Sequence, residues 1–366
     1  DFPTLIAENT EYQHKGRVTH LHQTSDSHFL VSASNDAFSG ELKVWDWNAP
    51  VLLQKPVRVL SSLAREFIVS QDNQEIISSQ GSYLYYWNLG NNYLYSSMPS
   101  KLRNFIISTK MDWRFPTKTS KLERSHGSGS FSILSMAMSS DGRYFAVACG
   151  DPTLGRCEII IFDAKSHQEI SRLRGHDDSS VSSIFFVPDS DYLVSVGSRD
   201  DTSIWSFKTG AAIRTIKATA SCATLTTDTH YLIGGTVKGD LYAIDFKSGQ
   251  PLQVRHAHAA QVTSVAVASS NSFCVTTSRD MTVKVWGLWD DLPHIATFTN
   301  NAALYSSFIT NDNSCVLVGS QTGQIHALAL VHQAIGINQP KLPYTQNTGF
   351  KKRSLCLLRK LLGANQ

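Results

Sequence analysis

The six cysteines, Cys149, Cys157, Cys222, Cys274, Cys315 and Cys356, include no Cys-x-x-Cys pair, and the 366 residues contain no Asn-x-Ser/Thr triplet. The first absence argues against a zinc site. Together they favour a reducing setting, cytoplasmic or nuclear, in which a thiol in an apolar strand acts as a small hydrophobe. No apolar run reaches the length of a membrane-spanning helix. There is no Gly-x-x-x-x-Gly-Lys loop, no His-Glu-x-x-His and no Gly-x-Ser-x-Gly, so the sequence offers no catalytic residue, no metal site and no cofactor site. The chain opens Asp-Phe-Pro, without Met and without a charged-then-apolar leader. This reads as a processed chain or a piece of a longer protein. Charged residues make up 17% and hydrophobic residues 42% of the chain, enough for one large globular core or two ordinary ones.

What is present is a pattern, clearest in residues 257–286, AHAAQVTSVAVASSNSFCVTTSRDMTVKVW. Three short runs rich in Val, Thr and Phe are cut by Ser, Asn and Asp, which reads as three strands joined by tight turns. His258 precedes the first run, Ser278-Arg279-Asp280 lies between the second and third, and Trp286 closes the third. This stretch resembles a WD40 repeat, the four-stranded blade of a β-propeller. The resemblance implies a structural hydrogen-bond set of Asp280, His258, Thr276 and Trp286, each giving a buried polar group a partner.

The residue matching Trp286 recurs as Trp45, Trp87, Phe162, Trp205, Ile244 and Leu328, at spacings of 42, 75, 43, 39, 42 and 42. Five of the six fit the period of about 40–45 residues of such an array, and the sixth holds one extra segment. The expectation is an all-β, seven-bladed propeller over residues 1–333. In the first repeat the set is His14, Ser32, Asp36 and Trp45. In the fourth it is His176, Asp200 and Trp205, with the hydroxyl member left open because the turn is one residue shorter. Gly81, Lys238 and Thr322 stand where the second, fifth and seventh repeats need Asp. No fourth strand follows Leu328, so a strand within residues 2–7 is expected to complete the last blade and close the ring.

Two segments stand apart. An insertion between blades 2 and 3, residues 91–130, carries a net charge of +5 and includes Lys110, Trp113, Arg114, Lys118 and Lys121. Within it, residues 93–97 are expected to form the outer strand of blade 2. Residues 334–366 form a basic tail of net charge +6, with a short helix expected near its end. The remainder, at −8, is an acidic ring.

The resemblance implies a scaffold or adaptor that presents one face to other proteins, as a subunit or domain of a larger assembly. The residue before each turn Asp would point onto that face: Asn35, Gln80, Arg199, Val237, Arg279 and Gln321. Arg199 and Arg279 either grip an acidic or phosphorylated group or pair with Asp residues of neighbouring blades. Arg172-Leu173-Arg174-Gly175 fits an ordinary repeat start better than a paired-arginine lipid motif. The alternative from another class is a nucleic-acid-associated protein that binds through the basic insertion and tail.

Overall fold

The computed structural model describes residues 4–8, 13–35, 40–47, 56–61, 66–80, 82–88, 118–121, 132–151, 156–177, 181–198, 201–288 and 292–330. All of them lie in the unit Asp1–Val331. They form 28 strands and no helix. Blade 1 consists of β2 (Arg17–Gln23), β3 (Phe29–Asn35), β4 (Gly40–Asp46) and β5 (Pro56–Ser61), and blade 2 of β6 (Phe67–Val69), β7 (Glu75–Gln80), β8 (Tyr83–Asn88) and β9 (Lys118–Lys121). Blade 3 consists of β10 (Ser132–Met138), β11 (Tyr144–Asp151), β12 (Arg156–Asp163) and β13 (Glu169–Asp177), and blade 4 of β14 (Val181–Phe186), β15 (Tyr192–Gly197), β16 (Thr202–Ser206) and β17 (Ala211–Ile216). Blade 5 consists of β18 (Cys222–Leu225), β19 (Tyr231–Gly235), β20 (Asp240–Asp245) and β21 (Pro251–His256), and blade 6 of β22 (Val262–Val267), β23 (Phe273–Ser278), β24 (Thr282–Gly287) and β25 (His294–Thr299). In blade 7, β26 (Leu304–Ile309), β27 (Cys315–Ser320) and β28 (Ile325–Ala329) are completed by β1 (Thr4–Glu8), which pairs antiparallel with β28. The first strand of the chain therefore closes the ring.

Each sheet is apolar on both faces because it is covered on both sides. In β24 the side-chain period of two sends Val283 and Val285 into a cluster with blade 7 and Trp286 into a cluster with blade 5. Seven such clusters fill the seven gaps between neighbouring blades. The gap between blades 7 and 1 is filled by Leu317, Ile325 and Ala327 against Val18, Leu30 and Trp45. In every blade the closing residue of the third strand, from Trp45 to Leu328, packs on the preceding blade. Each blade thus stabilises its neighbour, which a small isolated sheet cannot do for itself.

At one end of the ring, the turns between first and second strands are clamped to one another. Asn73, Asn271 and Asn313 sit at φ of 56°, 54° and 56°, a left-handed region that Asn tolerates. Each reaches back to the preceding blade. Asn73 Oδ1 accepts from Ser25 N at 3.1 Å, Asn271 Oδ1 from Thr227 N at 2.9 Å, and Asn313 Oδ1 from Ser269 N at 3.0 Å. At the other end, Gly239 (φ 91°) and Gly323 (φ 86°) accept through their carbonyls from His258 N and His14 N, both at 2.9 Å. A side chain on either glycine would collide with the His258 or His14 carbonyl, and φ > 0 is unfavourable for other residues.

One sequence expectation is corrected. The outer strand of blade 2 is β9, Lys118–Lys121, paired with β8 through Tyr86↔Lys118 and Tyr83↔Lys121. It is not residues 93–97, which lie outside the described residues. The extra residues therefore interrupt blade 2 between its third and fourth strands, and Lys118 and Lys121 belong to the sheet. Propensity favoured the tyrosine-rich run, yet an exposed edge strand readily takes lysine.

Candidate functional site

The buried polar sets come first, because His, Asp and a hydroxyl together resemble catalytic machinery. In blade 6, Trp286 Nε1 donates to Thr276 Oγ1 at 2.9 Å, and His258 Nε2 lies 2.7 Å from the same oxygen. His258 Nδ1 is 3.0 Å from Asp280 Oδ2, which also accepts from Ala259 N at 3.0 Å. Thr282 Oγ1 donates to Asp280 Oδ1 at 2.6 Å. One proton arrangement satisfies the chain: indole N–H to hydroxyl, hydroxyl to Nε2, and Nδ1–H to carboxylate. Burial lowers the His258 pKa and keeps the ring neutral. Burial alone would raise Asp280, but the Thr282 hydrogen bond and the His258 ring bring it below its ordinary value.

Blade 1 repeats the His–hydroxyl–Trp part of the pattern. His14 Nε2 and Trp45 Nε1 both lie 2.7 Å from Ser32 Oγ. Asp36 lies outside the described residues. Glu41 is the carboxylate beside this set: its Oε2 accepts from Lys15 N at 3.3 Å and stands 3.7 Å from His14 Nδ1, in ion-pair rather than hydrogen-bond range. The His14 ring, with Lys43 at 3.2 Å, holds Glu41 down at about 2. In blade 4, Ser195 is the hydroxyl member. It lies 2.6 Å from His176 Nε2 and accepts from Trp205 Nε1 at 2.7 Å; Asp200 lies outside the described residues. In blade 2 the described residues keep Trp87 Nε1 to Ser78 Oγ, at 2.8 Å.

Register explains all four hydroxyls. Trp45, Trp87, Trp205 and Trp286 stand opposite Leu30, Ile76, Leu193 and Cys274, and the hydroxyl residue follows two positions later on the same face. Counting from the turn misses Ser78 and Ser195 because turn lengths differ; counting from the strand pair finds them. Ser32, Ser78, Ser195 and Thr276 are each 0% exposed. A hydroxyl sealed from solvent cannot meet a substrate, so these sets hold third strands in place.

The exposed chemistry lies at the end of the ring that carries the turns between second and third strands. The inner strands begin there too, since Arg17 pairs with Asn35 and Val262 with Ser278. Inner strands β2, β10, β14, β22 and β26 all break register near this end, with one extra residue between the second and third ladder pairs or their equivalents. The extra residues are Thr19, Leu134, Ser182, Thr263 and Tyr305. A bulge re-aims its side chain, and blade 7 alone in this group puts an aromatic there.

Two arginines converge on Tyr305. The Arg17 guanidinium carbon is 5.1 Å and that of Arg279 is 5.7 Å from the ring centroid, within cation–π range. Both arginines are exposed, and neither has a carboxylate partner among the described residues. Asp280 turns inward to His258, which leaves Arg279 facing outward. Arg172, in contrast, donates to Glu158 at 3.1 Å and to Glu169 at 2.6 Å, and Arg174 meets Glu158 at 3.3 Å.

Asn35 and Gln321 lie on the same end, Asn35 opposite Arg17 and Gln321 in the turn after β27, bonded through its N to Ala303 O at 2.8 Å. Gln80 ends β7 on blade 2, opposite Tyr83. Val237 is 60% exposed in the blade 5 turn. Arg199, Lys110, Trp113 and Arg114 lie outside the described residues. Lys118 is engaged on the ring: its Nζ is 3.4 Å from His167 Nδ1 and 5.4 Å from the Tyr86 ring, while His167 Nε2 meets Glu75 at 3.0 Å. Among the described residues no cluster of His, Cys, Asp or Glu is arranged to hold a metal ion, and no helix is long and apolar enough to cross a membrane.

Seven four-stranded antiparallel sheets in a closed ring define a seven-bladed β-propeller. Three stretches, residues 8–46, 167–206 and 249–287, match the family profile described as WD domain, G-beta repeat, so blades 1, 4 and 6 are built on WD40 repeats. Each matched stretch begins near or in the outer strand of the preceding blade and ends with the third strand of its own, and this stagger is what makes β1 the closing strand of blade 7. A segment of 58 residues is 34% identical to Protein ROOT INITIATION DEFECTIVE 3 of Arabidopsis thaliana. It covers 16% of this chain and 13% of that protein.

Proposed function

We propose that this chain is a non-catalytic interaction scaffold, and that its docking surface is the end of the ring bearing Arg17, Asn35, Arg279, Tyr305 and Gln321. Propellers of this family typically bind other proteins. The observation that carries the assignment to this end is the pair of exposed arginines on Tyr305, without a carboxylate partner among the described residues. Such a surface suits an acidic protein segment, because guanidinium donates to carboxylate or phosphate through two parallel hydrogen bonds. The sheltered His–hydroxyl–Trp sets supply rigidity beneath it. A role as one part of a larger assembly belongs to the same proposal, as does an intracellular setting, which accords with the five free thiols among the described residues.

The test is affinity capture from the native cell, followed by measured affinity for each captured protein. Arg17→Glu/Arg279→Glu is expected to weaken binding by about a hundredfold or more, since the charge reversal both removes the donors and repels an acidic partner. A partner bound equally by wild type and variant would rule this end out as its docking surface. The nucleic-acid reading rests on the basic insertion and on residues 334–366, which apart from 118–121 lie outside the described residues, and no observation favours it over the protein-binding reading.

A further inference from the structure

We propose that Arg17 and Arg279 form a two-sided clamp for one phosphorylated Ser or Thr side chain of a partner protein. This rests on the docking surface proposed above and names the group that it recognises. Three observations carry it. The first is charge. Two guanidiniums share one aromatic ring, at 5.1 and 5.7 Å, and have no acidic partner among the described residues. A carboxylate carries one negative charge and offsets one of them. A phosphomonoester carries about −1.5 to −2 at neutral pH and has three acceptor oxygens, enough for both.

The second observation is origin. Arg17 opens β2 of blade 1, Arg279 lies in the blade 6 turn, and Tyr305 is the bulge residue of β26 in blade 7. Three consecutive blades around the seam supply one cluster. The blades are locked there: Ser306 Oγ donates to Val18 O at 3.1 Å and Thr263 Oγ1 to Leu304 O at 2.7 Å. The two arginines are therefore carried on backbone that is fixed before a ligand arrives, the condition for a positioned anion site.

The third observation is the surroundings, which favour a peptide over a lipid headgroup. Asn35 and Gln321 stand beside the cluster with amides suited to a peptide backbone.

The experiment uses the full chain and three matched peptide pools of random sequence, with a central phosphoserine or phosphothreonine, the unmodified residue, or glutamate. Retention of the phosphorylated pool is expected to exceed that of the other two by roughly tenfold or more. Arg17→Ala and Arg279→Ala should each remove most of that margin, and Arg→Lys at either site should restore only part, because lysine lacks the planar fork. Both side chains are exposed, so circular dichroism and melting temperature should match wild type and separate lost binding from lost folding. Equal retention of the three pools overturns the clamp, as does unchanged phosphopeptide retention by the double alanine variant. Sedimentation with phosphoinositide-bearing vesicles but no phosphopeptide retention also overturns it, in favour of a lipid. The docking surface is judged separately with captured partners: if Arg17→Glu/Arg279→Glu abolishes capture while the phosphorylated pool is not preferred, the surface stands and the phosphate clamp falls. If the phosphorylated pool is not preferred and no variant on this end alters capture, both fall.

Discussion

Blades 5 and 6 are adjacent and share one strand order, yet the space beside their third strands is filled in opposite ways. In blade 6, Thr276 faces Lys284 across the sheet and links His258 to Trp286. In blade 5, Gly234 faces Tyr242 at the same register position, and Ile244 stands in place of the tryptophan. A methyl group on Gly234 would run into the Tyr242 ring, so the ring occupies the volume that a hydroxyl, an imidazole and part of an indole fill next door. The Tyr242 hydroxyl is buried without a hydrogen-bond partner, and burial pushes its phenol up. A polar chain and a single aromatic ring are thus alternative ways to hold a third strand against the preceding blade. The polar chain is a local reinforcement of a sheet that packing already defines.

The largest expected effect is on the shared feature, packing on the preceding blade. Trp286→Ala should lower unfolding free energy by about 3–5 kcal/mol, read from denaturant midpoints at constant slope. A loss under about 1 kcal/mol would mean that the gap between blades 5 and 6 is held by something else. Next comes the difference between the two blades. Thr276→Val keeps the shape but leaves the indole N–H and the His258 ring without their shared partner, and should cost about 2 kcal/mol. No loss would show that the chain of hydrogen bonds adds nothing beyond packing.

The third effect is pH dependence, which blade 5 cannot show at this position because it has no imidazole there. Burial lowers the pKa of His258 and of His14 from 6.5. Below that value the unfolded chain takes up protons that the folded chain refuses, so stability falls as pH drops from 6.5 toward the lowered values, by at most about 1.4 kcal/mol per pH unit for each ring. Glu41, held at about 2, stays ionised over this range and loses its contribution only between pH 4.5 and about 2. Melting temperature measured between neutral and mildly acidic pH should slope downward, and His258→Gln should flatten part of that slope. An unchanged slope in the variant would assign the dependence to other groups. The smallest effect is Tyr242→Phe, which removes a buried hydroxyl that makes no hydrogen bond. Stability should stay level or rise by up to about 1 kcal/mol, and a clear loss would reveal a partner for that hydroxyl.

The blades were countable from the chain because each closing residue faces the preceding blade and must be large and apolar. That need recurs once per blade, and it leaves Trp, Phe, Ile or Leu at a fixed spacing. His258, Thr276, Asp280 and Trp286 were readable as a set because they fall within one repeat. Ser195 was not, because the shorter turn of blade 4 shifts any count made along the chain, while the strand register preserves it. The strand Lys118–Lys121 was missed because an edge strand is defined by the backbone pairs it makes with Tyr83–Asn88 and not by its own side chains. Arg17 and Tyr305 gave no signal at all: one is a charged residue at the start of a strand, the other an aromatic within one.

The sequence by itself determined the sheet type, the number of blades and the need for the first strand to close the last blade. Those follow from local alternation and from a period, which neighbouring residues carry. Only the tertiary structure decided which charges meet. Ring closure sets blade 1 beside blade 7, so Arg17 near the start of the chain comes to the same aromatic ring as Arg279. Coulomb and cation–π energies depend on distance in space, and no spacing along the chain encodes it.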